Sequence, residues 1–476
     1  MKLRRYIANS WGNFGTISLF SKAWEKYVVD RHRFRSNLVR TVPSFPAGRH
    51  APSYEAQGVP QKGKGTPLRI CYLIHYFFPD KSGGTERFVL NLAKEQRKLG
   101  NDVRVLTLGK RERACYRQQI GNILYEDFEV EGIKVTQFRY RRAPRGLYYD
   151  EIYEDDPDMA AFAGLILERE SINLVHAAYP QPFFPFLRLC RARNIPYLVT
   201  TTDFNIMCHY STLVDKEGRF CIHSQRGERC REICKTYGLK NPGERYRKAA
   251  ELLRYAGYVT APSKFVAQIL MAEFDESEIL TVPHGISEAF SFSENRRSTK
   301  RFLYAGTLSD LKGVHLLISA FLRLPHSGLS LDIYGDGEAG YVRRLKALAK
   351  GDPRISFRAS VPSSELARVY QRSDCVVVPS MWFETYNFVL REALSCGCLA
   401  IASEIGAMPE AVCEGRNGFL FPVGDAEALY ASLEKAVSFD WNLYQRASFP
   451  RLADEAARYL ALYRSLQTEG KLYAEN

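Results

Sequence analysis

A repeated alternation of apolar runs with helix-spaced segments constrains this chain most. LRICYLIHYF (68–77) is apolar and β-rich. SGGTERFVLNLAKEQRKLG (82–100) follows, with Phe88, Val89, Leu92, Ala93 and Leu99 at helical spacing and Gly100 at its end. DVRVLTL (102–108) is the next strand. A strand, a helix and a strand in this order imply a parallel sheet covered on both faces. INLVHAA (172–178), PYLVTTT (196–202), YVTAPS (258–263) and ILTVPHGI (279–286) continue the pattern. The polar stretch SEAFSFSENRRSTK (287–300) interrupts it, and RFLYAG (301–306) restarts it. LSLDIYG (329–335), ISFRAS (355–360), DCVVVPS (374–380) and LAIAS (399–403) then alternate with helical segments. The expected architecture is α/β, with two Rossmann-like domains facing a central cleft.

The length of 476 residues also asks for two domains. The expected divisions are a basic N-terminal arm and linker (1–66), a first Rossmann-like domain (67–290) and a second (291–450). The amphipathic segment 451–476 should pack back across the junction. The arm is distinctive: residues 1–50 hold ten Lys and Arg against two acidic residues, interleaved with Trp11, Phe14, Phe20, Trp24 and Tyr27. Such a segment suits an anionic membrane surface, and it equally suits a solvated arm or one packed on the body. No nucleic-acid recognition module accompanies the charge, which argues against that partner. No apolar run is long enough to span a bilayer, and no leader peptide is visible, so a cytoplasmic setting is expected, with a peripheral place at the inner face of the plasma membrane if the arm binds lipid. Eleven cysteines, an odd number, fit reduced thiols better than a disulfide framework.

Four stretches carry chemistry. In SGGTE (82–86), Gly83 and Gly84 let backbone approach a ligand, Thr85 follows, and the helix start behind them presents free N–H groups that suit a phosphate. A plain turn is the simpler alternative. In GTLSDLKGVHLL (306–317), a strand ends at Gly306 and Lys312 stands before a helix, where its ammonium can reach a diphosphate. GDGEAG (335–340) fits G-x-G-x-x-G, but it ends the second strand of its domain, and no acid in ISFRAS is placed to hold a ribose. A tight turn accounts for it better than a dinucleotide site.

In WFETYNFVLREAL (382–394), Glu384 and Glu392 lie eight positions apart. Three readings are open: an acid and base pair, a two-point grip on one ligand, or an amphipathic helix. Eight helical residues span about 12 Å, longer than the separations of a glycosidase carboxylate pair. The first reading is therefore disfavoured. Glu384 falls on the loop at the carboxyl end of VVVPS and Glu392 falls inside the helix. The N–H groups of Asn387, Phe388 and Val389 lie between them, at a helix start where a diphosphate or sugar would bind.

Together E-x7-E, the preceding VPS, the following EALSCG, the KG after a glycine-ended strand and NGFLFPVGD (417–425) resemble the retaining glycosyltransferase family 4, the group 1 glycosyltransferases of GT-B fold. The resemblance covers about residues 68–466. It implies sugar transfer from a UDP- or GDP-linked donor to a glycan or lipid-linked saccharide, in cell-surface polysaccharide biosynthesis. It implies that no cofactor is required for catalysis. Glu384 would hydrogen-bond the donor sugar, Glu392 the ribose, Lys312 would neutralise the departing diphosphate, and Gly83 and Gly84 would pack against the donor. Asp203, at the end of a strand, would orient acceptor or sugar; an Asp there is also an ordinary turn former. Several positions depart from the family pattern: Thr307 replaces an Arg, Ala178 the second His of His-x-His after His176, Thr202 the His before Asp203, and Asn387 a Gly. A nucleotide-sugar epimerase of the same architecture, or a non-catalytic nucleotide-sugar-binding scaffold, shares most of these features.

Cys208, Cys221, Cys230 and Cys234 occupy an insertion at about 204–240. Four thiolates can hold a structural zinc, although only the last pair has close ligand spacing. Buried or unligated thiols are the alternative.

Overall fold

The computed structural model describes residues 66–109, 116–142, 156–215, 218–234, 241–274, 278–293, 299–325 and 327–468. The basic arm lies outside the described residues, and so does the proposed membrane contact through it. Among the described residues no helix is long and apolar enough to cross a membrane.

The chain forms two compact units. Among the described residues, the first takes 66–212, 222–285 and 450–468, and the second takes 213–221 and 286–449.

The first unit is built on nine strands. They are β1 (Arg69–Ile74), β2 (Asp102–Leu108), β3 (Gln118–Ile120), β4 (Ile123–Val130), β5 (Ile133–Tyr140), β6 (Leu174–Ala177), β7 (Tyr197–Thr200), β8 (Tyr258–Ala261) and β9 (Ile279–Thr281), in the order β3-β4-β5-β2-β1-β6-β7-β8-β9. Helices α1 (Gly84–Lys98), α2 (Pro157–Arg169), α3 (Phe184–Ala192), α4 (Pro242–Arg254) and α5 (Lys264–Glu273) connect or follow them. The strands from β5 to β9 run parallel, and β3 and β4 add an antiparallel edge. This edge escaped the strand reading. Ile123 and Tyr125 are buried while Asp127 and Glu129, on the same face, are exposed, so the acidic half of ILYEDFEV masks the strand. The β4–β5 turn is Glu131–Gly132, both at positive φ (47° and 79°), as a tight hairpin requires.

The second unit holds six parallel strands. They are β10 (Arg301–Ala305), β11 (Ser330–Tyr334), β12 (Ile355–Arg358), β13 (Cys375–Val378), β14 (Leu399–Ser403) and β15 (Gly418–Phe421), in the order β12-β11-β10-β13-β14-β15. This is the Rossmann order, and it reverses direction between β10 and β13. Helices α6 (Val314–Phe321), α7 (Ala339–Leu348), α8 (Ser363–Arg372), α9 (Phe388–Ser395) and α10 (Ala426–Val437) accompany it. The core lies between sheet and helices and includes Phe302, Leu331, Val377, Ile401, Leu317, Phe321 and Leu433.

GDGEAG follows β11 and is a paired turn. A Cβ at Gly335 (φ 147°) would lie 1.9 Å from the Gly306 carbonyl oxygen, and one at Gly337 2.0 Å from that of Leu308. Asp336 O accepts the Leu308 amide at 2.9 Å. These glycines serve the close approach of two loops.

The last helix, α11 (Leu452–Thr468), belongs to the first unit and is bound there by buried polar contacts. The Tyr463 hydroxyl lies 2.6 Å from His176 Nδ1 and 3.3 Å from the Tyr72 hydroxyl. His176 Nε2 is 2.7 Å from Thr200 Oγ1, which is 3.0 Å from the Tyr459 hydroxyl. Burial, and then His284, pulls His176 down to about 3, so its ring is neutral and works as a hydrogen-bonding post. Replacing Tyr463 by Phe should strand His176 Nδ1 in a buried place and cost about 1–3 kcal/mol. Urea unfolding checks this; an unchanged midpoint would show that the hydroxyl contributes nothing net.

Candidate active site

The geometry of the second unit follows from two neighbouring strands. β13 is CVVV, fully buried, and β10 lies beside it. The loops at their carboxyl ends meet at the point where strand order reverses, the usual ligand edge of an open α/β sheet. Met381 N donates to Leu311 O at 2.7 Å. Gly313 sits at φ 68°, and a Cβ there would lie 1.9 Å from Pro379 O. Only glycine permits so close a junction. It brings Lys312 against Glu384.

Glu384 is 7 % exposed. Its Oε1 accepts three hydrogen bonds: from Lys312 Nζ at 2.6 Å, Ser380 Oγ at 2.7 Å and Trp382 Nε1 at 2.9 Å. Burial pushes its carboxyl up, but the Lys312 charge and the three donors outweigh that, and it lies below its ordinary value. Lys312 Nζ also stands 4.9 Å over the Trp382 ring. Behind the loop, Gly406 packs on the Glu384 backbone and Ala407 N donates to Glu384 O at 2.8 Å.

Glu392 lies within α9, buried, and receives the Tyr370 hydroxyl at 3.1 Å on Oε2. The N-cap of α9 is Asn387, whose Oδ1 accepts the Leu390 amide at 2.9 Å. Phe388 and Val389 form the first turn, and the Phe388 ring packs on Tyr386 at 5.2 Å. Gly306 directly follows β10, and the Tyr304 hydroxyl donates to the Thr307 carbonyl at 2.7 Å.

In the first unit, Gly83 caps α1. Its N–H donates 2.7 Å to Oε2 of the buried Glu86. The positive end of this helix is thus met by a carboxylate of its own first turn, a feature the expectation of a phosphate there had left out. Lys81 Nζ lies 3.5 Å from Glu86 Oε1 and 2.9 Å from His75 Nε2. Burial, followed by the Lys81 charge, holds His75 well below its usual range, so Nε2 accepts from the ammonium. The Thr85 hydroxyl donates to Thr202 Oγ1 at 2.8 Å, joining the first turn of α1 to the loop after β7. Asp203 is half-buried and accepts the Asn205 amide at 2.9 Å, so it forms a turn. Burial also lifts its carboxyl to about 6.

The family model for "Glycosyl transferases group 1" matches residues 286–448, and that for "Glycosyltransferase Family 4" matches 82–290. Spore coat protein SA of Bacillus subtilis is 24 % identical over 327 residues, 64 % of this chain and 79 % of that protein. D-inositol 3-phosphate glycosyltransferase of Corynebacterium urealyticum is 31 % identical over 191 residues, 36 % of this chain and 44 % of the relative. Among solved structures, sucrose-phosphate synthase from Thermosynechococcus elongatus superposes with a TM-score of 0.59 at 17 % identity, covering 85 % of this chain and 98 % of that one. Anabaena HepE in complex with UDP and glucose gives 0.58 at 17 % identity, covering 84 % and 100 %. The chain belongs to the group 1, family 4 glycosyltransferases. Its fold is GT-B.

Within this glycosyltransferase, the departure at Asn387 has a physical explanation. The residue adopts φ 61° and ψ 86°, a left-handed conformation that Gly or Asn accepts most readily. The backbone requirement is kept and a capping oxygen is added. The four cysteines divide between the units, with Cys221 in the second and Cys208, Cys230 and Cys234 in the first. Among the described residues no group of three or more His, Cys, Asp or Glu side chains is placed to hold a metal ion. Sequence reasoning missed Tyr370, Ser380, Trp382, Lys81 and Glu86 as partners. Ser380, Trp382, Lys81 and Glu86 stood in or beside the quoted motifs; Tyr370, 22 residues before Glu392, carried no local signal.

Two outcomes follow from these torsions and charges. Asn387→Gly should cost only a few tenths of a kcal/mol, whereas Asn387→Ala should lose about 2 kcal/mol from the left-handed strain and the lost cap; thermal melting separates them, and equal melting would refute the torsional account. The Asp203 carboxyl moves from 3.8 to about 6 on folding, so the folded state holds its proton more tightly. Stability is therefore fully present below pH 3.8 and falls as pH rises through about 6. Asp203→Asn should gain roughly 1–3 kcal/mol at pH 8 and nothing near pH 3.5, as read by denaturant titration at both pH values.

Proposed function

We propose that the chain is a retaining glycosyltransferase that moves a sugar from a UDP- or GDP-linked donor to a glycan or lipid-linked saccharide, in cell-surface polysaccharide biosynthesis. One observation carries the donor half: three donors, one of them Lys312, converge on a single oxygen of the buried Glu384. The carboxylate is thereby fixed and ionised, and its second oxygen is available to accept sugar hydroxyls. A buried acceptor that is lost leaves its partners unsatisfied, which makes such a contact selective.

Lys312 supplies the electrophilic part. Cleaving the anomeric bond builds negative charge on the diphosphate. An ammonium already held in place stabilises that charge more in the transition state than in the ground state. Its side chain is 24 % exposed, so one face remains open to a ligand. Glu392, steadied by Tyr370, suits the ribose hydroxyls, and the amides of Asn387, Phe388 and Val389 at the start of α9 suit a phosphate. Retention requires the acceptor hydroxyl to approach from the face the diphosphate leaves. Asp203, titrating near 6, suits the orientation of that hydroxyl. The scheme routes no step through a metal.

The nucleotides named with the fold neighbours include UDP and ADP, which makes nucleoside diphosphates and their sugars the first probes. A panel of UDP- and GDP-sugars should include one that raises the melting temperature with concentration. With that donor, nucleoside diphosphate should be released only when an acceptor saccharide is supplied. Glu384→Ala should lower transfer at least 100-fold, or about 2.7 kcal/mol; near-normal turnover would sink the assignment. Interconversion of the sugar without acceptor would instead identify an epimerase, and binding without either reaction a scaffold.

A further inference from the structure

Arg245 stands near the start of α4 and is 6 % exposed. Its Nη1 donates to the Ile206 carbonyl at 3.3 Å and its Nη2 to the Asn205 carbonyl. Both carbonyls belong to the turn that carries Asp203. Asn205 is thereby held on both sides: its carbonyl by Arg245, and its N–H by Asp203 Oδ1 at 2.9 Å. The Asn205 side chain donates from Nδ2 to Ser211 Oγ at 3.2 Å, further along the same loop. In sequence the chain passes from Asp203 through the cysteine-bearing insertion before it reaches α4. Arg245 closes that excursion at its base.

A planar guanidinium can bond two neighbouring carbonyls at once in a fixed fork, which an ammonium does not match. Its charge also reaches the titratable groups at this edge of the sheet. Burial raises the Asp203 carboxyl; the Asn205 amide and Lys81 lower it, Glu86 raises it and Arg245 lowers it. Burial, with Asp203, raises the Tyr179 hydroxyl, which Arg245 and Ser211 lower and Tyr76 raises. Burial and then Arg245 pull His209 down to about 3. Of Asp203, Tyr179 and His209, only Asp203 changes charge near pH 6. Arg245 thus touches Asp203 in two ways, through the Asn205 peptide and through its charge.

We propose that Arg245 is a positioning residue for Asp203: its guanidinium fixes the turn at residues 203–206, so that the carboxylate is held in one orientation for the acceptor hydroxyl. The proposal rests on the acceptor-orienting role proposed for Asp203. Loss of the fork should loosen acceptor binding and leave donor binding, which belongs to the second unit, unchanged. Loss of the charge should raise the Asp203 carboxyl further, so that the ionised form is reached only at higher pH.

The test uses the full chain with Arg245→Gln, which removes the fork and the charge, and Arg245→Lys, which keeps the charge alone. The substrates are UDP- and GDP-sugars with a panel of octyl glycosides, which join a saccharide to an apolar tail. For the pair that the wild type turns over, Arg245→Gln should raise the acceptor KM roughly tenfold and leave the donor KM within about twofold. The wild-type kcat/KM for acceptor should fall as pH drops through about 6, and in Arg245→Gln this limb should move to higher pH. Arg245→Lys should keep the limb in its wild-type place and raise the acceptor KM about threefold. Equal losses for donor and acceptor, or no loss at all, overturn the proposal, and so does an acid limb that stays in place in Arg245→Gln. If Arg245→Gln does not fold, Arg245→Lys decides: a raised acceptor KM with an unchanged donor KM supports the fork, and wild-type values for both refute it. A wild type that transfers to none of the glycosides overturns the acceptor reading itself.

Discussion

The candidate site of the second unit centres on one contact, the 2.6 Å pair between Lys312 and Glu384. The partners come from loops after two adjacent strands. They meet because the strand order reverses between β10 and β13, so the two crossover connections diverge and leave the loops facing each other. An ion pair in such a place is weak support for stability, since both charges lose solvent. Here Ser380 and Trp382 complete the coordination of the carboxylate oxygen, and the Trp382 ring steadies the ammonium. The loops are joined independently by the Met381–Leu311 bond and the glycine contact at 313. The pair is therefore placed by backbone, which frees it to serve a ligand.

The two strand-to-helix turns that looked alike in sequence have opposite electrostatics. At α1, Glu86 turns back onto the Gly83 amide and supplies a negative charge to the helix start. At α9, the cap is the neutral Asn387. A helix start attracts anions only while its own side chains leave the partial positive charge uncompensated. The start of α9 therefore keeps its partial positive charge, while that of α1 is partly compensated. The cluster at α1 instead collects Lys81, His75, Glu86 and, across the Thr85–Thr202 bridge, the loop of Asp203.

Much of the parallel architecture was legible because buried strands write themselves as continuous apolar runs, and CVVV is the plainest case. Glu384 and Lys312 were legible because strand ends mark the ligand edge of such a sheet. What was not legible has a common cause. Tyr370 reaches Glu392 from a helix 22 residues away, and Tyr463 reaches His176 from 287 residues away. Neither contact leaves a periodicity or spacing. The β3–β4 edge was hidden for a different reason, because Gln118, Gln119, Asp127 and Glu129 are exposed at the sheet edge and read as loop.

Positions that depart from a family pattern are informative when the physical requirement is separated from the residue name. At 387 the requirement is a left-handed backbone, and Asn meets it at φ 61° while adding a cap. At 176 the surviving histidine is buried, neutral and bonded on both ring nitrogens to Tyr463 and Thr200. Its side chain is fully buried, and its ring is neutral at neutral pH. In the second unit Lys312 is held by Glu384 at 2.6 Å. A reading by residue name alone would rank 387 and 176 equally as losses; the geometry shows one requirement met by a different residue and the other transferred to the packing of α11.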